Sequence, residues 1–271
     1  MPALATDDSI LETVRTVESR LGGRVGISIH ETGSGQRWEH RSDERFPMSS
    51  TFKAFACAAV LSRIEGGAER LHRVIEIEEE DLVTYSPVTE TRVNTVGMTI
   101  AELCEATITL SDNTAGNLIL ESIGGPKALT DYMRSIGDET TRLDRWETDL
   151  NEGKPGDRRD TTTPRAATTS LGHLLLGPTL SESSREQLTT WMENDKVADA
   201  LLRSVLPVGW RIADKTGAGG HGARSIIAII WPPAESPILI SIYMAESDAS
   251  FAERNEAIAE IGAAIVTAVS N

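Results

Sequence analysis

Apolar residues recur along this chain with two periods, and the change of period divides it. Over residues 7–21, Ile10, Leu11, Val14, Val17 and Leu21 share one face of a helical repeat, and Gly22-Gly23 stops it. Val25, Ile27 and Ile29 then alternate with small or polar residues, the two-residue period of a strand. Gly33 to Gly35 turns the chain into a second strand near 36–40. At the other end, 210–215, 223–231 and 237–245 read as three more strands, and 251–269 as a closing amphipathic helix. The stretch 49–194 between them is helices and loops, with helices predicted over 51–64, 100–110, 115–123, 127–136 and 165–176. No repeat or low-complexity tract interrupts it. The pattern describes one sheet built from both chain ends with a helical region inserted, and the cleft between two such lobes is a favoured small-molecule site.

Composition narrows the partners. With 271 residues, 39% hydrophobic and 25% charged, the chain can bury a sizeable core and is not disordered. Its 26 basic and 41 acidic residues leave a net charge of -15, which repels phosphate backbones and argues against nucleic acid. The same balance, with so few lysines, suggests a salt-adapted organism. No run approaches the length of a membrane span. The first residues lack the basic and apolar regions of a signal peptide, so the sequence is that of a cytosolic protein or of an exported one without its leader. Two cysteines and five scattered histidines offer no zinc-ligand spacing, and neither metal nor cofactor is expected.

Three short motifs carry chemistry. In Ser50-Thr51-Phe52-Lys53 the serine and lysine are three apart and share a helix face, where a lysine of depressed pKa can take the hydroxyl proton. Ser111-Asp112-Asn113 follows an apolar stretch; it reads either as the N-cap of a helix from Thr114 or as a relay hydroxyl with a substrate-gripping amide. Lys215-Thr216-Gly217 closes a predicted strand beside further glycines, suited to an anionic group lying along the edge. Each alone has an ordinary structural reading; their order and placement together are far more specific. A fourth feature is the polar stretch 142–164, an Ω-loop candidate in which Glu147 and Asn151, four apart, can face one water.

The set of motifs resembles that of penicillin-binding proteins and class A β-lactamases. The chain as a whole is similar to class A serine β-lactamases, nearest the carbenicillin-hydrolysing branch in 45–53, 81–88 and 201–207. The resemblance implies an α/β fold of the α+β type. It has a five-stranded antiparallel sheet flanked by N- and C-terminal helices (1–48 and 195–271) and an inserted all-α lobe (49–194) that includes the Ω-loop, 145–160. It implies Ser50 as acylated nucleophile, Lys53 and Ser111 as proton relays, and Glu147 with Asn151 as holders of the deacylating water. It places Lys215, Thr216 and Arg224 on the substrate carboxylate, Tyr85 on the cleft wall and Asn113 on the side-chain amide. The backbone N–H groups of Ser50 and Ala218 would form the oxyanion hole, and Arg145 and Asp160 would close the Ω-loop. Whether Lys53 or Glu147 takes the proton in acylation stays open.

Lys215 stands where the carbenicillinase branch often carries arginine, and Thr148 where many relatives carry proline. The peptide after the catalytic glutamate is cis in many relatives, so a cis Glu147–Thr148 bond is expected. Cys57 and Cys104 match a pair bridged in many members, and a bridge implies an oxidising compartment, periplasmic or secreted. Hydrolysis of penicillins and some cephalosporins by a monomer is the leading expectation. A D-alanyl-D-alanine carboxypeptidase or a β-lactam-sensing module would share the three motifs.

Overall fold

The computed structural model describes residues 7–270. Helix α1 (Asp7–Leu21) leads into strands β1 (Arg24–Glu31) and β2 (Arg37–His40) and the short β3 (Phe46–Pro47). A single 3-10 turn, Ser49–Thr51, precedes α2 (Phe52–Glu65). Then come the two-residue strands β4 (Val74–Ile75) and β5 (Met98–Thr99), and helices α3 (Ile100–Thr109), α4 (Asn113–Ile123) and α5 (Pro126–Ser135). Strand β6 (Thr161–Thr162), α6 (Pro164–Leu175) and α7 (Glu182–Glu193) complete the middle. Strands β7 (Arg211–Ala218), β8 (Arg224–Trp231) and β9 (Ile238–Ala245) and helix α8 (Phe251–Val269) end the chain. No helix among the described residues is long and apolar enough to cross a membrane.

The main sheet has the order β2-β1-β9-β8-β7, with antiparallel neighbours throughout. Strands β8 and β9 are apolar along almost their whole length because both faces are covered. Side chains alternate across the sheet. Ile226, Ala228 and Ile230 join the layer of α1 and α8, with Ile10, Val14, Ile258 and Ile261. Ile227, Ile229, Leu239 and Tyr243 join the helical core instead, with Phe46, Phe52 and Phe55. Helix α2 lies in that second core and is buried on nearly every side from Phe52 to Leu61. The Cys57–Cys104 disulfide ties it to α3. A bridge across 47 residues restricts the unfolded chain, a gain of ~4 kcal/mol in the loop-entropy account.

Local sequence sets the helix starts. Thr99 with Glu102, and Ser250 with Glu253, form reciprocal capping boxes at α3 and α8. Thr163 caps α6 just ahead of Pro164. Three expectations need correction. The helix expected from Thr114 begins at Asn113, because Asp112 is the cap and accepts from Ala115 N. Strand β7 runs on to Ala218, so Lys215-Thr216-Gly217 lies within the strand rather than at its end. Helix α7 escaped the periodicity argument because it buries only Ser184, Leu188, Trp191 and Met192 and is otherwise polar.

Candidate active site

The nucleophile candidate sits where two parts of the fold converge. Ser50 lies in the 3-10 turn ahead of α2 and is nearly buried at 8% exposure. Strand β7 runs directly beside this turn, and only a glycine permits the approach. A Cβ on Gly217 would stand 2.7 Å from Met48 O and 3.1 Å from Ser50 N. Ser50, Tyr85, Ser111, Asn113, Asn151 and Thr216 line one cleft of about 340 Å³, together with Gly217, Ala218 and Arg224. Two residues that the sequence did not flag, Val197 and Phe251, complete its wall.

Lys53 follows Ser50 by one helical turn and is fully buried. Its ammonium donates to Ser111 O at 2.8 Å and to Asn113 Oδ1 at 2.6 Å. Ser111 Oγ is 3.4 Å away and Glu147 Oε1 3.2 Å away. Burial pulls the Lys53 pKa below that of a free lysine, while the charges of Glu147 and Asp112 oppose the shift. Ser111, at φ 58, is held in the left-handed region, and its hydroxyl accepts from Lys215 Nζ at 3.2 Å. Glu147, Lys53, Ser111 and Lys215 thus form one unbroken file of polar contacts beside the cleft.

Asp112 anchors this file. Besides capping α4, its carboxylate accepts from Val88 N, Thr89 N and Thr89 Oγ1, which fixes the segment carrying Tyr85. Tyr85 itself is 54% exposed at the rim. The aspartate caps the helix, and its neighbours Ser111 and Asn113 line the cleft. Asn113 is more committed than expected. Its oxygen accepts a hydrogen bond from Lys53 and its amide donates to Thr84 O at 2.8 Å, which leaves one N–H for a ligand.

The far wall is the Ω-loop. Asp160 Oδ2 accepts from Arg145 Nε at 2.6 Å, and Oδ1 accepts from the backbone N–H groups of Asp144 and Arg145. Gly220 N donates to Asn151 O at 2.8 Å, which ties the loop to the β7–β8 turn. The Glu147–Thr148 peptide is cis, as expected. Asn151 Nδ2 donates to Glu147 Oε2. Asn151 Oδ1 is buried without a hydrogen-bond donor, and Glu147 Oε1 is buried with only the Lys53 ammonium facing it, 3.2 Å away. Asn117, absent from the sequence argument, grips the glutamate from behind: its Oδ1 accepts from Glu147 N and its Nδ2 donates to Glu147 O. It lies one turn after Asn113 on α4, and that spacing was the available signal.

Positive charge gathers at the β7 side. Lys215 is fully buried, and burial lowers its pKa to about 8 against the pull of Asp195. Arg224 is 3% exposed; its Nη1 donates to Gly217 O at 2.9 Å and its Nε to Asn255 Oδ1 at 2.7 Å. Phe251 lies over that guanidinium, 4.8 Å from its carbon. Beneath Lys215, burial raises the carboxyl of Asp214 to about 7, reinforced by the neighbouring Asp195. No group of three or more metal-ligating side chains is gathered among the described residues.

A serine backed by a buried lysine, with a carboxylate beyond it and cations ahead, is arranged to acylate the hydroxyl and then hydrolyse the ester. That defines a serine hydrolase working through an acyl-enzyme. The sequence matches the Beta-lactamase enzyme family over residues 9–269. It is 49% identical over 270 residues to beta-lactamase AER-1 of Aeromonas hydrophila, spanning 99% of this chain and 89% of that one. It is 51% identical over 254 residues to beta-lactamase CARB-3 of Pseudomonas aeruginosa, spanning 94% and 88%. A solved ancestral class A beta-lactamase superposes with a TM-score of 0.94 at 55% identity, covering 96% of this chain and 99% of the other. The chain belongs to the β-lactamase enzyme family, in class A. As such it is a hydrolase that opens penicillins and confers resistance to them.

Proposed function

We propose that Ser50 attacks the lactam carbonyl and that Glu147 then activates the water that releases the product. The observation that carries this reading is a pair of buried acceptors on touching side chains of the Ω-loop: Asn151 Oδ1, which has no donor, and Glu147 Oε1, which meets only the Lys53 ammonium. A buried acceptor without a donor costs about 1–3 kcal/mol, and a water lying between the two would satisfy both. Lys53, in the neutral form that its burial favours, takes the Ser50 proton, and Ser111 relays that proton to the lactam nitrogen as the C–N bond breaks, which leaves Lys53 neutral again. The N–H groups of Ser50 and Ala218 stabilise the oxyanion. Lys215, Thr216 and Arg224 hold the substrate carboxylate, Tyr85 and Asn113 bound its side chain, and Arg145 with Asp160 keeps the Ω-loop closed.

In this reading some cephalosporins are substrates as well, and the cleft lies between the lobes 1–48 with 195–271 and 49–194. The enzyme works as a periplasmic or secreted monomer, without metal or cofactor, in a salt-adapted cell. Turnover of a chromogenic cephalosporin tests the central step. Many turnovers per molecule support hydrolysis; a single stoichiometric burst would leave a penicillin-binding or sensing role.

A further inference from the structure

Beside the Ω-loop lies a second cleft of about 230 Å³, which shares no lining residue with the one at Ser50. Arg24, Arg45, Lys154 and Arg158 line it, against two carboxylates, Asp157 and Glu246. Both carboxylates are already engaged. Glu246 pairs with Arg24 at 2.7 Å, and Asp157 pairs with Arg159 at 2.6 Å. Arg45 is half-buried, and its guanidinium donates to the hydroxyl of Thr161 at 3.0 Å. That hydroxyl in turn donates to Arg158 O at 2.7 Å.

Among the described residues, no carboxylate lies within ion-pair distance of Arg45, Lys154 or Arg158. A chain with 41 acidic residues has left three cations without an ion-pair partner in one recess. Burial pushes the Arg45 guanidinium below its usual range, and the nearby cations Arg158, Arg142 and Arg134 push it further, against the weaker pull of Asp138. Such a cluster stores repulsion that a bound anion relieves. Guanidinium groups present paired N–H donors matched to an oxoanion, and the cleft holds one tetrahedral ion with several waters at ~30 Å³ each.

We propose that this cleft binds a small tetrahedral oxoanion, phosphate or sulfate, between Arg45 and the Ω-loop residues Arg158 and Lys154. The ion braces the base of the Ω-loop from outside. It does so from beyond the catalytic cleft, so it does not compete with substrate.

The test is thermal denaturation and titration calorimetry with sodium phosphate and sodium sulfate, at ionic strength held constant with sodium chloride. The expected result is a melting temperature that climbs and then saturates as one-site binding requires. Arg158→Ala, at an exposed position, and Arg45→Gln should abolish the climb, and Arg158→Lys should keep part of it. Penicillin turnover by Arg158→Ala without added oxoanion should match the parent. An equal rise in chloride alone, or the same saturable rise in both neutral variants, would overturn the proposal.

Discussion

Lys53 Nζ and Glu147 Oε1 lie 3.2 Å apart, and neither side chain has any exposed surface. In such a site each charge is the other's main compensation. Replacing Glu147 with alanine therefore does two things: it removes the proposed general base for the water, and it takes away a charge that opposes the lowering of the Lys53 pKa. A more readily neutral Lys53 remains able to take the Ser50 proton. Glu147→Ala is expected to acylate and then stall, with deacylation slower by roughly 10²- to 10⁴-fold. Mass spectrometry after brief exposure to benzylpenicillin should show the adduct on Ser50. Unimpaired turnover would remove Glu147 from the role.

The neck of the Ω-loop should matter more to the second half-reaction than to the first. Asp160 accepts from one side chain and two backbone N–H groups, and an amide in its place meets those donors with its own N–H₂. Asp160→Asn is expected to slow deacylation more than acylation, because the loop carries Glu147 while Ser50 stands on α2's entry turn. Rapid-quench measurement of both steps checks it; equal slowing would point to a general loss of fold.

Arg224 should act on binding. Its guanidinium is fixed by Gly217 O and Asn255 Oδ1 and faces the cleft under Phe251. A charged hydrogen bond contributes about 1.5–3 kcal/mol, so Arg224→Ser is expected to raise KM for penicillins on the order of 10- to 100-fold with a smaller effect on kcat. An unchanged KM would mean that Lys215 and Thr216 hold the carboxylate unaided.

Stability should depend on pH through Asp214. Its carboxyl is raised to about 7 in the folded protein from an ordinary value of 3.8. The native state therefore holds a proton that the unfolded chain has lost, and the stabilisation present below pH ~4 is lost as pH rises through 7. Asp214→Asn keeps the oxygen that accepts from Arg203 and removes the titration. Urea melts from pH 5 to 8 should fall more steeply for the parent than for the variant. Parallel curves would show that Asp214 stays ionised.

The negative balance of -15 carries its own test. Self-repulsion is screened over ~10 Å at 0.1 M salt and ~3 Å at 1 M. Activity is expected to persist, and recovery after heating to improve, in ~2 M sodium chloride. Loss of activity there would count against salt adaptation.

The sheet and most helices were legible because burial on one face leaves a period, as in Val25, Ile27 and Ile29, and burial on both leaves an apolar run, as in Ile226 to Ile230. The three motifs were legible because chemistry restricts residue type: a lysine is costly to bury, and Lys53 and Lys215 are both buried completely. Helix α7 was hidden by its narrow apolar face, and the extent of β7 by Thr216 and Gly217, which look like a turn. Asn117, Asn255 and the Asp195–Asp214 pair were hidden for a different reason. Their partners are distant in sequence, and an asparagine or aspartate carries no mark of what it will meet.

Strand β1 pairs along its full length with β9, and Thr32 bonds to the Pro237 carbonyl across 205 positions. Loop closure on that scale is slow and must precede the reward of the contacts it brings. While the chain is still growing at the ribosome, β1 has only β2 beside it, and a lone hairpin is marginal in water. The sheet, and with it the β7 edge of the catalytic cleft, can assemble only after nearly the last residue has been made. Until then the strands that frame the cleft stand apart, and the growing chain carries its nucleophile without a site around it.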